Sequence, residues 1–113
     1  MTMTVPLYQA KAEFFRTLGH PVRIRVLELL RRGPLPVRDL LVELDIEASN
    51  LSQQLAVLRR AGIVNATRDG ATVVYALSTP DVADLMVAAR RILADLLAGQ
   101  GELVAELRAE THG

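Results

Sequence analysis

The chain reads as short apolar stripes at helical spacing, separated by glycine and proline stops. Residues 8–18 place Phe14, Phe15 and Leu18 on a common side, and Gly19 ends that helix. His20-Pro21 restarts the chain, with the proline suited to a first helical turn. Residues 22–32 repeat Val22, Val26, Leu29 and Leu30 and stop at Gly33-Pro34. Residues 37–44 carry Leu40, Leu41 and Leu44. Residues 45–48 then turn, and residues 49–61 form a fourth helix closed by Gly62.

Beyond Gly62 the run IVNATR-DG-ATVVYAL holds two β-prone segments around Asp69-Gly70. This predicts a hairpin with a type I′ turn, which needs positive φ at both central residues. Ser78-Thr79-Pro80-Asp81 is a helix start, with hydroxyl caps, an early proline and a first-turn acid. The helix that follows repeats Val82, Leu85, Met86, Ala89, Ile92, Leu93, Leu96 and Leu97. Gly99-Gln100-Gly101 then bends or breaks it before a last helical piece over 102–110. The expectation is a mainly α chain with one β-hairpin (α+β), in the order α-α-α-α-β-β-α, forming one domain over 1–113.

Composition narrows the classes. The chain is 50% hydrophobic and 23% charged, enough apolar material to fold. Its apolar runs are too short to span a bilayer and no charged-then-apolar signal segment opens it, so a soluble, cytoplasmic protein without a membrane partner is expected. With no cysteine there is no disulfide, thiolate metal site or thiol redox chemistry. The net charge of zero hides a split: ten basic residues against six acids over 1–68, and three against seven over 69–113. An arginine-biased half points to a polyanion-facing surface, although chance scatter in a small protein gives the same totals.

The fourth helix, SNLSQQLAVLRR over 49–60, carries the most specific signal. At about 100° per residue Ala48, Leu51, Leu55 and Leu58 share one side. Ser49, Gln53, Ala56 and Arg60 lie opposite, flanked by Asn50 and Ser52. That outer face is uncharged, low and rich in hydrogen-bonding groups, until it closes on Arg59 and Arg60. Asn and Gln can pair bidentately with adenine, and Ser can donate or accept. Ser49, at the helix start, can cap it or meet a phosphate. Such residues also simply solubilise surface helices; the context decides. A helix, a brief turn, this helix and then a hairpin make a helix-turn-helix followed by a wing.

With these elements in order, the chain resembles the ArsR/SmtB family of winged helix-turn-helix transcriptional regulators. The resemblance covers roughly residues 14–97 and rests on LGHPVRIRVLELL, SNLSQQLAVLRRAGIV and RDGATVVYAL. It implies a recognition helix at about 49–61, a wing at about 63–77 and a dimerisation helix at about 79–98. It further implies a homodimer through the first and last helices, binding an imperfect inverted repeat in double-stranded DNA and releasing it to an effector, most often as a repressor. The DNA-contacting set is then Ser49, Asn50, Ser52, Gln53, Arg59 and Arg60, with Arg68 and Thr72 from the wing. The dimer interface is Phe14, Val82, Leu85, Met86, Ala89, Leu93 and Leu96. The wing departs from the family in carrying Ala71 where a basic residue is common. Arg23, Arg25 and Arg38 are further candidates for phosphates, or for ion pairs with Glu28, Asp39 or Glu43.

The resemblance also sets what an effector could be. The family's thiolate pair falls on Pro36 and Arg38, which cannot bind metal. Its interfacial site falls on Thr79, Asp81, Ile92 and Asp95, of which two can ligate, so the standard site is absent. A nonstandard nickel, zinc or cobalt site could draw on Asp81, Asp84, Asp95, His20 and His112 from either subunit. His20, beside Pro21, better suits capping. A small molecule, a partner protein or no effector are the other options. The alternative function is a helical interaction module on the same fold, effector-independent or controlled by a partner protein. An enzyme is not expected: no histidine neighbours a nucleophile, no glycine-rich phosphate loop occurs, and Asp81 with Asp84 are ordinary first-turn acids.

Overall fold

A computed structural model of the chain describes residues 4–98 and 101–112, side chains included except at 101–104, 111 and 112. The order is α1 (Leu7–Leu18), α2 (Pro21–Leu30), β1 (Leu35–Pro36), α3 (Val37–Leu44), α4 (Ala48–Arg60), β2 (Val64–Asp69), β3 (Thr72–Leu77), α5 (Pro80–Leu96) and α6 (Gly101–His112). The expected helices and hairpin are present. One strand is added: β1 pairs antiparallel with β3, Leu35 opposite Tyr75 and Pro36 opposite Val74, making a sheet of order β1-β3-β2. Two residues show no periodicity. A proline fits here because an edge strand tolerates a missing N–H.

The hairpin register corrects the predicted turn. Asp69 pairs with Thr72 inside the ladder, so the two loop residues are Gly70 and Ala71. Gly70 has φ +63°, and Asp45 is the sole non-glycine described residue with positive φ. Positive φ at the first loop position alone is the type II′ pattern, with glycine where that turn requires it, rather than type I′.

Caps set where the helices begin and end. His20 precedes α2 and its Nδ1 accepts from the Val22 N–H at 3.2 Å, with Pro21 in the first turn. Thr79 does the same for α5, accepting from the Asp81 N–H at 3.3 Å. By contrast, α4 starts one residue earlier than expected, after Glu47 and without a side-chain cap. Ser49 is therefore not the cap, and its hydroxyl stands exposed. At the other end of α4, the Gly62 N–H donates to Arg59 O and the Ile63 N–H to Leu58 O. This is a Schellman stop, with Gly62 at φ +76° supplying the left-handed residue.

The core lies beneath α4. Val26 and Leu27 of α2, Leu40 of α3, Leu51 and Leu58 of α4 and Val64 of β2 are essentially inaccessible. Leu18, Leu29, Leu30, Leu55, Ile63, Val82 and Met86 complete it. Each such side chain contributes about 1.5–3 kcal/mol relative to exposure. The link into α5 fastens to the same core through the Ser78 hydroxyl, which donates to Ile63 O at 2.9 Å.

Two left-handed positions bracket α4, Asp45 at the end of α3 (φ 51°, ψ 52°) and Gly62 at the end of α4. They predict opposite outcomes in urea unfolding at matched protein concentration. Asp45→Gly should stabilise by up to about 1 kcal/mol, because glycine sheds the left-handed cost. Gly62→Ala should destabilise by about 1–2 kcal/mol, because it acquires that cost.

Candidate nucleic-acid interface

The geometry of the outer face of α4 follows from its buried underside. With Leu51, Leu55 and Leu58 in the core, Ser49, Ser52, Gln53, Ala56, Arg59 and Arg60 are exposed. The Arg60 Nε donates to Ala56 O at 3.4 Å, holding that side chain back along the helix. Among the described residues Arg59, Arg60 and Arg68 form no ion pair. Their charges remain available to a polyanion.

Asn50 behaves differently. It is half-buried, and its Oδ1 accepts from Gln54 Nε2 at 3.1 Å. Gln54, 8% exposed, is the buried polar residue within the core, and its Oε1 accepts from Arg23 Nε at 2.8 Å. The Arg23 Nη1 in turn donates to the Thr17 carbonyl near the end of α1, also at 2.8 Å. Arg23 is thus directed inward and joins α1, α2 and α4, rather than standing ready for a phosphate. Hydrogen bonds to a charged donor contribute about 1.5–3 kcal/mol each, and a buried amide left unpaired costs a similar amount. The sequence signal for this relay was a polar residue three positions after Leu51, on the apolar side of α4.

The remaining basic candidates divide. Arg25 pairs with Glu28 at 3.3 Å. Arg38 has only a 3.9 Å approach to its neighbour Asp39 and is largely exposed. Val37 and Arg38 line one cleft together with Ala71, Thr72 and Val73, so Arg38 stands beside the wing turn that itself carries no cation at Ala71. In the wing Arg68 is exposed opposite Val73, and Thr72 is half-buried opposite Asp69.

The apolar stripe of α5 serves two purposes. Val82 and Met86 are buried in the core of the chain itself. Leu85 packs partly on that core, as does Phe14 of α1, and Ala89 is half-buried. Further along, Leu93 is 45%, Ile92 57% and Leu96 72% exposed. On α1 Leu7, Tyr8 and Phe15 are exposed as well. A continuous periodicity could not separate the half of the helix above the core from the half that runs past it.

Among the described residues the metal candidates do not gather into one site. Asp81 and Asp84 lie near the start of α5, and Asp95 lies about 21 Å further along from Asp81 at ~1.5 Å per residue. The Nδ1 of His20 is engaged as a cap. The side chain of His112 lies outside the described residues. Among the described residues no group of three or more His, Cys, Asp or Glu could hold a metal ion. No helix among them is long and apolar enough to cross a membrane.

A helix-turn-helix whose second helix shows an uncharged polar face over a leucine seam, followed directly by a hairpin, defines a winged helix-turn-helix DNA-binding regulator. The comparisons agree with that class. The model of the bacterial regulatory protein arsR family matches residues 20–66. The HTH-type transcriptional regulator Rv0081 of Mycobacterium tuberculosis, itself uncharacterised, is 51% identical over 105 residues, covering 92% of each chain. Its crystal structure superposes with a TM-score of 0.78 at 52% identity, covering 86% of this chain and 98% of that one. The transcriptional repressor BigR of Xylella fastidiosa gives 0.71 at 35% identity, over 75% and 87% of the two chains. The homodimeric winged helix-turn-helix DNA-binding domain Mb0332 of Mycobacterium bovis gives 0.69 at 25%, over 84% and 91%. The chain belongs to the ArsR family of transcriptional regulators.

The internal relay predicts a specific stability signature. Arg23→Met should cost about 1–3 kcal/mol in denaturant unfolding, because the buried Gln54 carbonyl loses its donor. Arg23→Met combined with Gln54→Leu should cost less than the sum of the two single changes. Strict additivity would remove the relay from the account.

Proposed function

We propose that the chain acts as a homodimeric repressor of transcription that reads an imperfect inverted repeat in double-stranded DNA. The observation that carries this is the exposed, uncharged face of α4, set by the leucines beneath it and placed between the helix-turn-helix turn and the wing. Ser49, Ser52 and Gln53 enter the major groove, with Asn50 at its edge. Arg59 and Arg60 hold the far end of α4 to phosphates. Arg68 and Thr72 of the wing, with Arg38 beside them, meet the backbone. In this reading the protein works in the cytoplasm.

The dimer in this reading forms through α1 and the outer half of α5, where Leu7, Tyr8, Phe15, Ile92, Leu93 and Leu96 expose a large apolar area. The homodimeric relative supports it. A two-fold axis would set two α4 helices about one DNA turn, ~34 Å, apart. Any release of DNA by an effector would act through this interface, because coupling requires a ligand that binds the two dimer states differently. A nickel, zinc or cobalt site drawn from Asp81, Asp84, Asp95, His20 and His112 could take residues from either subunit.

Fluorescence anisotropy on an inverted repeat selected by the protein from random duplexes tests the DNA reading. Affinity should fall steeply with salt, and Arg60→Ala should reduce the slope of log K against log salt by about one phosphate equivalent. Gln53→Ala should relax preference at one base pair by about 1–3 kcal/mol. Equal affinity of the wild-type protein for the selected repeat and for random duplex would overturn the proposal.

Sedimentation tests the dimer. Leu93→Glu should give a folded monomer that loses affinity for the full repeat, whereas Val82→Glu should fail by unfolding the protomer. A Leu93→Glu protein that remains dimeric would move the interface elsewhere.

A further inference from the structure

Arginine can only donate hydrogen bonds, and this settles the polarity of two amides at the start of α4. Since Arg23 Nε meets Gln54 at 2.8 Å, the Gln54 atom facing it must be the oxygen. The amino group of Gln54 then points the other way, toward Asn50 at 3.1 Å. An amino group must meet an acceptor, so the Asn50 atom facing it must be Oδ1. Gln54 is buried and Arg23 is also held by the Thr17 carbonyl, so neither end of this relay is free to reverse. In half-buried Asn50 the end of the amide left over is its amino group.

We propose that Asn50 presents its amino group, not its carbonyl, to DNA, and that Arg23 sets this polarity through Gln54. The inference rests on the reading of α4 as the recognition helix and adds a specificity rule to it. An asparagine that pairs bidentately with adenine must offer both its carbonyl, to the N6 amino group, and its own amino group, to N7. With Oδ1 turned to Gln54 that pairing is withdrawn. Asn50 selects an acceptor: O6 or N7 of guanine, O4 of thymine, or a phosphate oxygen. Arg23 is a positioning residue in this scheme, since it meets no base. It also joins the carbonyl end of α1 to the first turns of α4, so a shift of α1 against α2 is felt at Asn50.

Two near-isosteric variants test the polarity in DNA binding, again on a repeat selected by the protein. Asn50→Asp keeps the bond from Gln54 but offers only oxygen outward, and should weaken binding about tenfold or more. Gln54→Glu still accepts from Arg23 but no longer donates. Asn50 should then rotate its amino group inward and its carbonyl outward, moving the preference at its position from an acceptor base to cytosine or adenine, whose amino groups donate. Replacing guanine by 7-deazaguanine, or single phosphates by methylphosphonates, identifies whether a base or the backbone is the acceptor. Either source agrees with an outward amino group.

A third measurement needs no variant to fold. In the NMR spectrum of the free wild-type protein, the side-chain amino protons of Gln54 should exchange slowly with water and those of Asn50 quickly. The reverse order of exchange would overturn the polarity, as would Asn50→Asp binding like wild type or Gln54→Glu retaining both the wild-type affinity and the wild-type preference. If the wild-type protein prefers a repeat and Gln53→Ala relaxes it while these variants change nothing, the polarity proposal alone fails. A wild-type protein without sequence preference would instead remove the reading of α4 and the proposal with it.

Discussion

The seam of leucines under α4 constrains everything above it. Leu51, Leu55 and Leu58 are buried against Val26, Leu27 and Leu40, and a helix can keep such a stripe dry in only one rotational setting. Turning α4 by one residue, about 100°, would drive Ser52 or Asn50 into the core and bring leucine into water. The outer face is therefore fixed by apolar packing before any polar contact is considered. Arg23 and Gln54 add a second, directional restraint. Packing sets which residues face outward, and the hydrogen-bond relay sets which end of Asn50 does so.

Recognition needs both restraints because base edges are distinguished by donor and acceptor positions a few ångströms apart. A polar side chain free to rotate gives affinity with little discrimination, whereas one held by its neighbours discriminates. The zero net charge fits a division of labour on this surface. Ser49, Ser52 and Gln53 can read without charge, and arginine is concentrated at the end of α4, at the start of α3 and on the wing. Arg38 stands next to the wing turn, which carries no cation at Ala71. The acidic half of the chain is set largely on α5 and α6, where Arg90 approaches Glu110 at 3.7 Å.

Most of this was legible where local chemistry and burial agree. The helix boundaries at Gly62 and Thr79 were visible because left-handed stops and hydroxyl caps have strong residue preferences, whereas Gly19 ends α1 at φ −75°, outside the left-handed region. The leucine side of α4 was visible because helical periodicity and burial coincide there. What was hidden depends on contacts distant in sequence. The strand at Leu35–Pro36 exists only through its pairing with Val74 and Tyr75. Ser49 looked like a cap, yet the chain enters α4 from Glu47 without one. The inward role of Arg23 required knowing that Gln54 lies beside it, thirty-one positions away. The stripe on α5 shows the limit of periodicity most clearly, since Met86 and Leu93 share it but one is core and the other surface.

The central claim is that two copies of α4, held at one rotation, read the major groove on one face of the duplex. Methylation interference on the selected repeat tests it directly, because dimethyl sulfate marks guanine N7 in the major groove and adenine N3 in the minor groove. The account predicts interference at guanine N7 in two clusters about one helical turn, ~34 Å, apart. Interference confined to adenine N3, or to a single cluster, would contradict it.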